Sequence, residues 1–165
     1  MANMRSRNAR IIKDIKNIKE NPIEGIHLAV DPVDMTMWYY IIEGSVDTPF
    51  HGGFYLGKIK LADNYPFSPP DVQMITPSGR FQPNHNICFS YTNYHPETWS
   101  CMFNASHVAL GLLSFMNDLN DRGNGCIVTS DEEKKMLAKA SIKFNLNNEV
   151  VKDLFPEIAS KLKEL

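Results

Sequence analysis

MTMWYYIIEGSVDTPFHGGFYLGKIKLADNYPFSPPDVQMI, residues 35–75, decides the fold. Three runs in it are rich in aromatic and β-branched side chains: Met35–Gly44, Gly53–Leu61 and Asp71–Ile75. Such runs read as strands, and the segments between them, DTPFHGG and NYPFSPP, carry the proline, glycine, aspartate and asparagine that turns demand. HLAV at residues 27–30, closed off by DPVD, adds a fourth run in front. Short turns join antiparallel neighbours, so a four-stranded antiparallel meander is expected.

Working outward, Ile11, Ile15 and Ile18 recur at i, i+4, i+7 and predict an N-terminal helix that Asn21-Pro22 ends. From Met74 to Asn104 neither the helical nor the strand period holds. About thirty irregular residues inside a compact domain usually serve a function. Helical spacing resumes with Val108, Leu112, Phe115 and Leu119, with Asn104 or Ser106 as the cap. Ser130 with Glu133 forms a capping box for a third helix, whose apolar face is expected at Met136, Ala140 and Phe144. Pro156 opens a last short helix marked by Ile158, Leu162 and Leu165. Strands gathered in one run, flanked by helices, make an α+β class.

At 165 residues and 43% hydrophobic content, residues 1–165 fit a single domain with one core. Three cysteines are an odd number without framework spacing, and MANMRSRNAR lacks the apolar centre of a secretory signal, so free thiols in a reducing compartment are expected. No apolar run approaches the roughly 18 residues of a membrane span. A net charge of -2 argues against bulk nucleic-acid binding. The charge is uneven: six cations against Asp14 and Glu20 leave +4 on residues 1–20 and -6 on the remainder. Arg7, Arg10 and Lys13 step by three within about 120° of helical arc and can present one cationic face. A solvated surface explains them equally well on these grounds. No Gly-rich phosphate loop is present, since GFYLGK lacks the spacing.

The irregular segment holds FQPNHNICFSYTNYHPETW, residues 81–99, and its Cys88 admits three chemistries. His85, Cys88, His95 and Cys101 could ligate zinc, although close ligand pairs on tight turns are missing. Cys88 could be a hydrolytic nucleophile with His85 or His95 as its base, although no local cysteine-protease signature surrounds it. Or it could carry an acyl group for another enzyme. A buried structural cysteine is a role better suited to Cys126, beside Ile127-Val128.

Several motifs in a fixed order then carry a resemblance. Glu43-Gly44, PFHGGF at 49–54, YPFSPP at 65–70, Ile87-Cys88-Phe89 and Trp99-Ser100 resemble the ubiquitin-conjugating enzyme family along most of the chain. TPSGRF at 76–81, HPETW at 95–99, GLLSFM at 111–116 and FNLNNEVVKDLFPEI at 144–158 resemble its branch that is tail-anchored in the endoplasmic reticulum. The resemblance implies the UBC fold: N-terminal helix, four-stranded meander, irregular active-site segment and C-terminal helices. It also implies that Cys88 accepts ubiquitin as a thioester from the activating enzyme and passes it, with a ubiquitin ligase, to protein substrates. ATP is spent by the activating enzyme, so no cofactor and no metal is expected on this chain, nor any nucleic-acid partner. By the same resemblance Arg7, Arg10 and Lys13 meet the activating enzyme, and Phe67 and Met102 meet the ligase. The branch's membrane anchor is absent from these residues. A cytoplasmic domain is therefore expected, on the cytosolic face of the endoplasmic reticulum where an anchor was removed, with a role in endoplasmic-reticulum-associated degradation. A scaffold of the same fold without catalysis is the rival, against which Cys88 itself argues.

Two departures from the family pattern bear on the chemistry. Ordinary members place an asparagine eight residues before the cysteine, where Arg80 stands here, and the branch reads TPNGRF where this chain has Ser78. The oxyanion donor is therefore unassigned. Asn84 is the expected substitute, on a tightened Pro-Asn loop, with Ser78 the second choice and the nearer Asn86 disfavoured because it lies beside the cysteine. Trp99-Ser100-Cys101-Met102 replaces the family's W-S-P-A, which alters the loop expected to meet a ligase.

Overall fold

A computed structural model describes residues 2–165. Four strands, β1 (Ile26–Val30), β2 (Met37–Glu43), β3 (Phe54–Lys60) and β4 (Asp71–Met74), pair antiparallel in the order β1-β2-β3-β4. The meander expected from the turns is thus present, with each strand within about three residues of its sequence reading. In register, Tyr40 of β2 faces Gly57 of β3. A Cβ at that glycine would collide with the Tyr40 ring, and through that gap the Tyr40 hydroxyl donates to Gln73 O of β4 at 2.7 Å.

Alternation along the strands divides the molecule into three layers. Trp38, Tyr40 and Ile42 of β2 and Tyr55 and Ile59 of β3 face one way, into a core shared with Ile11 of helix α1 (Ala2–Glu20) and with Val108, Leu112 and Phe115 of helix α2 (Ala105–Asn117). Ile41, Phe54 and Leu56 face the other way. They are covered by α4 (Glu149–Leu154) and α5 (Pro156–Lys163) through Val151, Phe155, Ile158, Ala159 and Leu162. Both faces of an otherwise half-wet antiparallel sheet are therefore dry. Between β4 and α2 the chain is irregular as expected, broken only by a 3-10 turn (Pro96–Thr98) and two isolated bridges, Gln73 with Asn86 and Phe81 with Cys126.

The helices correct several expectations. Asn104, not Ser106, caps α2, accepting the N–H of Ser106 and His107. Leu119 lies past the end of that helix and Leu165 past the end of α5, both exposed. The short α4 has its own cap, Asn148, whose side chain accepts the N–H of Val150. The largest correction concerns α3 (Asp131–Leu146): Met136 is 61% exposed, and Ala140 and Phe144 are exposed too. Its buried stripe is Lys134, Ala138, Ser141 and Asn145. The reason is hydrogen bonding. Ser141 Oγ accepts the N–H of Phe54 at 2.9 Å, and Asn145 Nδ2 donates to the Phe54 carbonyl at 2.6 Å while its Oδ1 accepts from Thr76 Oγ1 at 2.7 Å. A polar seam supplies the main-chain partners that β3 lacks where β4 stops, and an apolar face cannot do that.

Candidate active site

Cys88 sits on a strand-like run laid beside β4. Ile87 N–H donates to Val72 O, and Cys88 N–H turns the other way, to Asn124 O at 2.9 Å. The thiol opens into a cleft of about 680 Å3 whose walls come from residues 88–91, the middle and end of α2, and the loop Asp118–Gly123. Burial raises the thiol above its ordinary pKa; Cys126, Asp121 and Glu97 push the same way, and a backbone hydrogen bond from Asn124 opposes them.

A base stands next to that thiol. His95 Nε2 lies 3.3 Å from Cys88 Sγ, and His95 Nδ1 lies 3.0 Å from Glu97 Oε1. A carboxylate only accepts, so Nδ1 carries the proton and the Nε2 lone pair faces the sulfur, to which the thiol donates. The local sequence explains the placement. Pro96 presets the first helical position of the turn, and Glu97 folds its carboxylate back onto the ring preceding it. Thr98 Oγ1 then bonds to Ser90 O and His95 O, tying the turn to the residues after Cys88. Glu97 is held below the ordinary carboxylate range by its own N–H and by His95. The signal was legible as His-Pro-Glu seven residues past the cysteine, but only the fold shows that the chain doubles back.

The expected oxyanion donors are not brought to the sulfur. Ser78 is 0% exposed, and its hydroxyl accepts the N–H of Arg80 and Phe81, closing the turn around left-handed Gly79. Asn84 is exposed at φ 61°, a conformation asparagine tolerates better than most residues, and its N–H is bound to Met74 O. The run that follows is extended along β4, so the loop cannot tighten Asn84 over Cys88. Asn86 accepts from Gln73 Nε2 at 2.8 Å and is tied to β4. Neither Ser78 nor Asn84 lines the cleft. Of the four zinc candidates only Cys88 and His95 meet: His85 bonds to Pro83 O, and Cys101 is exposed on a separate loop. Among the described residues no group of three acidic, His or Cys side chains could hold a metal ion.

The surface residues divide. Lys13 is exposed, and among the described residues Arg7 reaches Asn8 Oδ1 and, at 3.4 Å, Asp63 O. Arg10 turns inward: it donates to Asp14 at 2.8 Å, to Cys101 O at 2.6 Å and to Phe103 O at 2.9 Å, beneath the Tyr65 ring. The cationic face is therefore Arg7 and Lys13, and Arg10 ties α1 to the Cys101–Phe103 loop. That loop carries Met102, 76% exposed, and Phe67 on the neighbouring loop is 72% exposed. Trp99 Nε1 donates to Pro66 O at 2.8 Å and locks the two loops together, as a structural tryptophan would.

This arrangement of a cleft-facing thiol on an irregular segment flanking a four-stranded meander has clear relatives. A family model described as "Ubiquitin-conjugating enzyme" matches residues 10–144. A Dictyostelium discoideum protein, "Ubiquitin-conjugating enzyme E2 J2-like", is 43% identical over 91% of this chain and 88% of its own length. "Ubiquitin-conjugating enzyme E2 34" of Arabidopsis thaliana is 41% identical over 92% of this chain, and mouse "Ubiquitin-conjugating enzyme E2 J2" 40% over 94%. The chain spans only 64% and 60% of those two. The solved structure of human ubiquitin-conjugating enzyme E2 G1, at 24% identity and a TM-score of 0.60, covers 67% of this chain and 93% of its own, and shares the fold. Motif order, meander and a family match across most of the length agree, and the chain belongs to the ubiquitin-conjugating enzyme family.

Proposed function

We propose that Cys88 is the thiol that accepts ubiquitin. Its sulfur attacks the carbonyl of the thioester on the activating enzyme, a new S–C bond forms, and the departing thiol of that enzyme takes the proton. In the second step an acceptor amine attacks the Cys88 thioester, the N–C bond forms, and the C–S bond breaks to return the Cys88 thiol. ATP is consumed upstream, and this chain supplies no cofactor. The carrying observation is the 3.3 Å approach of His95 Nε2 to Sγ, with the lone pair held outward by Glu97. Once the thioester forms, that nitrogen is free to take the proton from an incoming nucleophile, as a general base within reach should. Phe67 and Met102 form the ligase contact, and Arg7 and Lys13 the activating-enzyme contact. Similarity to proteins named E2 J2, together with the tail-anchored branch motifs, supports a place on the cytosolic face of the endoplasmic reticulum and a part in degradation there. Cofractionation of the cellular protein with microsomes checks that placement.

The test is a charging assay with activating enzyme, ATP and labelled ubiquitin. A thiol-sensitive adduct is expected on the parent chain and on the Cys101→Ala and Cys126→Ala variants, and none on Cys88→Ala. An adduct retained by Cys88→Ala would remove the carrier role. The Cys88–His95–Glu97 row also suits a cysteine hydrolase, whose nucleophile is a thiolate stabilised by imidazolium. The raised thiol speaks against that ion pair. Turnover of ubiquitin conjugates without activating enzyme and ATP would establish the hydrolase instead.

A further inference from the structure

Arg80 is the largest fully enclosed side chain among the described residues, 2% exposed, and no carboxylate pairs with it among them. A guanidinium is expensive to bury unless it is hydrogen-bonded, and here Nε and Nη2 carry the bonds. Its Nη2 donates to the carbonyls of Phe115 at 3.0 Å, Asp118 at 3.0 Å and Asp121 at 2.7 Å, and its Nε to Met116 O at 3.2 Å. Phe115 and Met116 lie in the last turn of α2, where the helix dipole favours a cation, and Phe115 O accepts the Asp118 N–H at 3.3 Å as well. Asp118 and Asp121 belong to the irregular loop that follows.

That loop runs straight to the reactive sulfur. Asp121 and Gly123 line the cleft beside Cys88, Asn124 O accepts the Cys88 N–H, and a Cβ on Gly123 would come within 2.7 Å of Cys88 O. From the opposite direction the guanidinium lies over the Phe115 ring at 4.8 Å, and Phe115 stacks on Phe89, the residue after Cys88, at 5.7 Å. One side chain therefore braces both the floor and a wall of the cleft.

We propose that Arg80 is a positioning residue of the transfer site: it gathers the end of α2 and the Asp118–Asp121 loop into one rigid wall that sets how deeply Cys88 is enclosed. The proposal rests on Cys88 as the transfer thiol. Three of the four bonds leave Nη2 and the fourth leaves Nε. A lysine ammonium, a single donor centre on a different stem, therefore keeps the charge but cannot hold Met116 O together with the other three carbonyls. With the wall loosened, water reaches the thiol and Asp121 and Cys126 move from it, whereas His95 and Glu97, on the other turn, stay.

The experiment compares parent, Arg80→Lys and Arg80→Gln by iodoacetamide alkylation against pH, quantified on the Cys88 peptide by mass spectrometry, and by single-turnover discharge at saturating acceptor. In folded variants the alkylation midpoint is expected to fall toward the ordinary thiol value of about 8.5. Discharge is expected to slow about tenfold or more. A general loss of stability would not move the midpoint of the folded population. Folded variants with the parent's midpoint and discharge rate would overturn the proposal. Loss of the folded state in both variants would do so as well, since the guanidinium would then belong to the core alone. If the parent chain takes no ubiquitin, the carrier reading of Cys88 fails, and the alkylation midpoint still decides Arg80.

Discussion

At the scale of single residues, the proposed transfer turns on an enclosed thiol and an imidazole 3.3 Å from it. Burial raises the Cys88 pKa, so the thiolate fraction climbs with pH through and beyond the ordinary range of about 8.5. Alkylation of Cys88 should therefore be slow at pH 7 and should still be rising above about pH 8.5, where an ordinary free thiol is half ionised. A Cys88 midpoint at or below about 8.5 would contradict the enclosed thiol. His95→Ala removes the only imidazole within reach of the sulfur among the described residues. It should slow discharge to free lysine about 100-fold, the usual size of a general-base contribution, while the adduct still forms. Glu97→Gln, which can still hold the ring but no longer as a carboxylate, should lie between the two. Equal discharge by His95→Ala and parent would leave the base without a role. Asn84→Ala should discharge like the parent, since the fold keeps that amide on the far turn.

Among the elements, α3 shows how an exposed apolar stripe and a buried polar one can exchange places. Removing Asn145 strands the Phe54 carbonyl and the Thr76 hydroxyl in a dry layer. Each abandoned group costs about 1–3 kcal/mol, so Asn145→Ala should lower the unfolding free energy by about 2–4 kcal/mol in urea titration. Phe144→Ser, on the exposed side, should change it by less than about 0.5 kcal/mol. The reverse ranking would restore the apolar face at Met136, Ala140 and Phe144. Lys134 illustrates the same principle at the start of the helix: it is buried, yet its ammonium reaches Thr129 O at 2.7 Å.

For the whole molecule, three surfaces converge on one corner: the middle turns of α1, the Phe67 loop and the Met102 loop. Tyr65, Asp14 and Arg10 link them from beneath, with the Tyr65 hydroxyl on Asp14 and on Phe103 O. Arg10→Ala leaves the enclosed Asp14 carboxylate without its cation, at a cost of about 3 kcal/mol, and should weaken ligase-stimulated discharge through displaced loops. Phe67→Ala and Met102→Ala keep that network and should lose stimulation without losing stability, because each removes an exposed anchor. Thermal melts beside ligase-dependent discharge separate the two outcomes; a Phe67→Ala protein that responds normally to a working ligase would exclude that residue from the contact. Reversing Arg7 and Lys13 to Glu should slow charging, more at low salt than at high, since exposed charges are screened over about 8–10 Å. Identical salt dependence in parent and reversed chain would return both residues to the solvated surface.

The amino-acid sequence by itself determined the meander, the capped starts of α2 and α3, the irregular stretch and Cys88 within it. Those features rest on local causes: period two, turn residues, caps and their absence. The buried side of α3 was out of its reach, because β3 needs hydrogen-bond partners there and that need exists only after β4 has ended and α3 has crossed the sheet. The same holds for His95, which a seven-residue return of the chain delivers to the sulfur, and for Arg80. Its partners are carbonyls 35 to 41 residues away, and main-chain acceptors leave no mark in residue identity. Side-chain pattern names the elements, and only tertiary structure decides which main-chain groups they leave unpaired and which side chains must answer them.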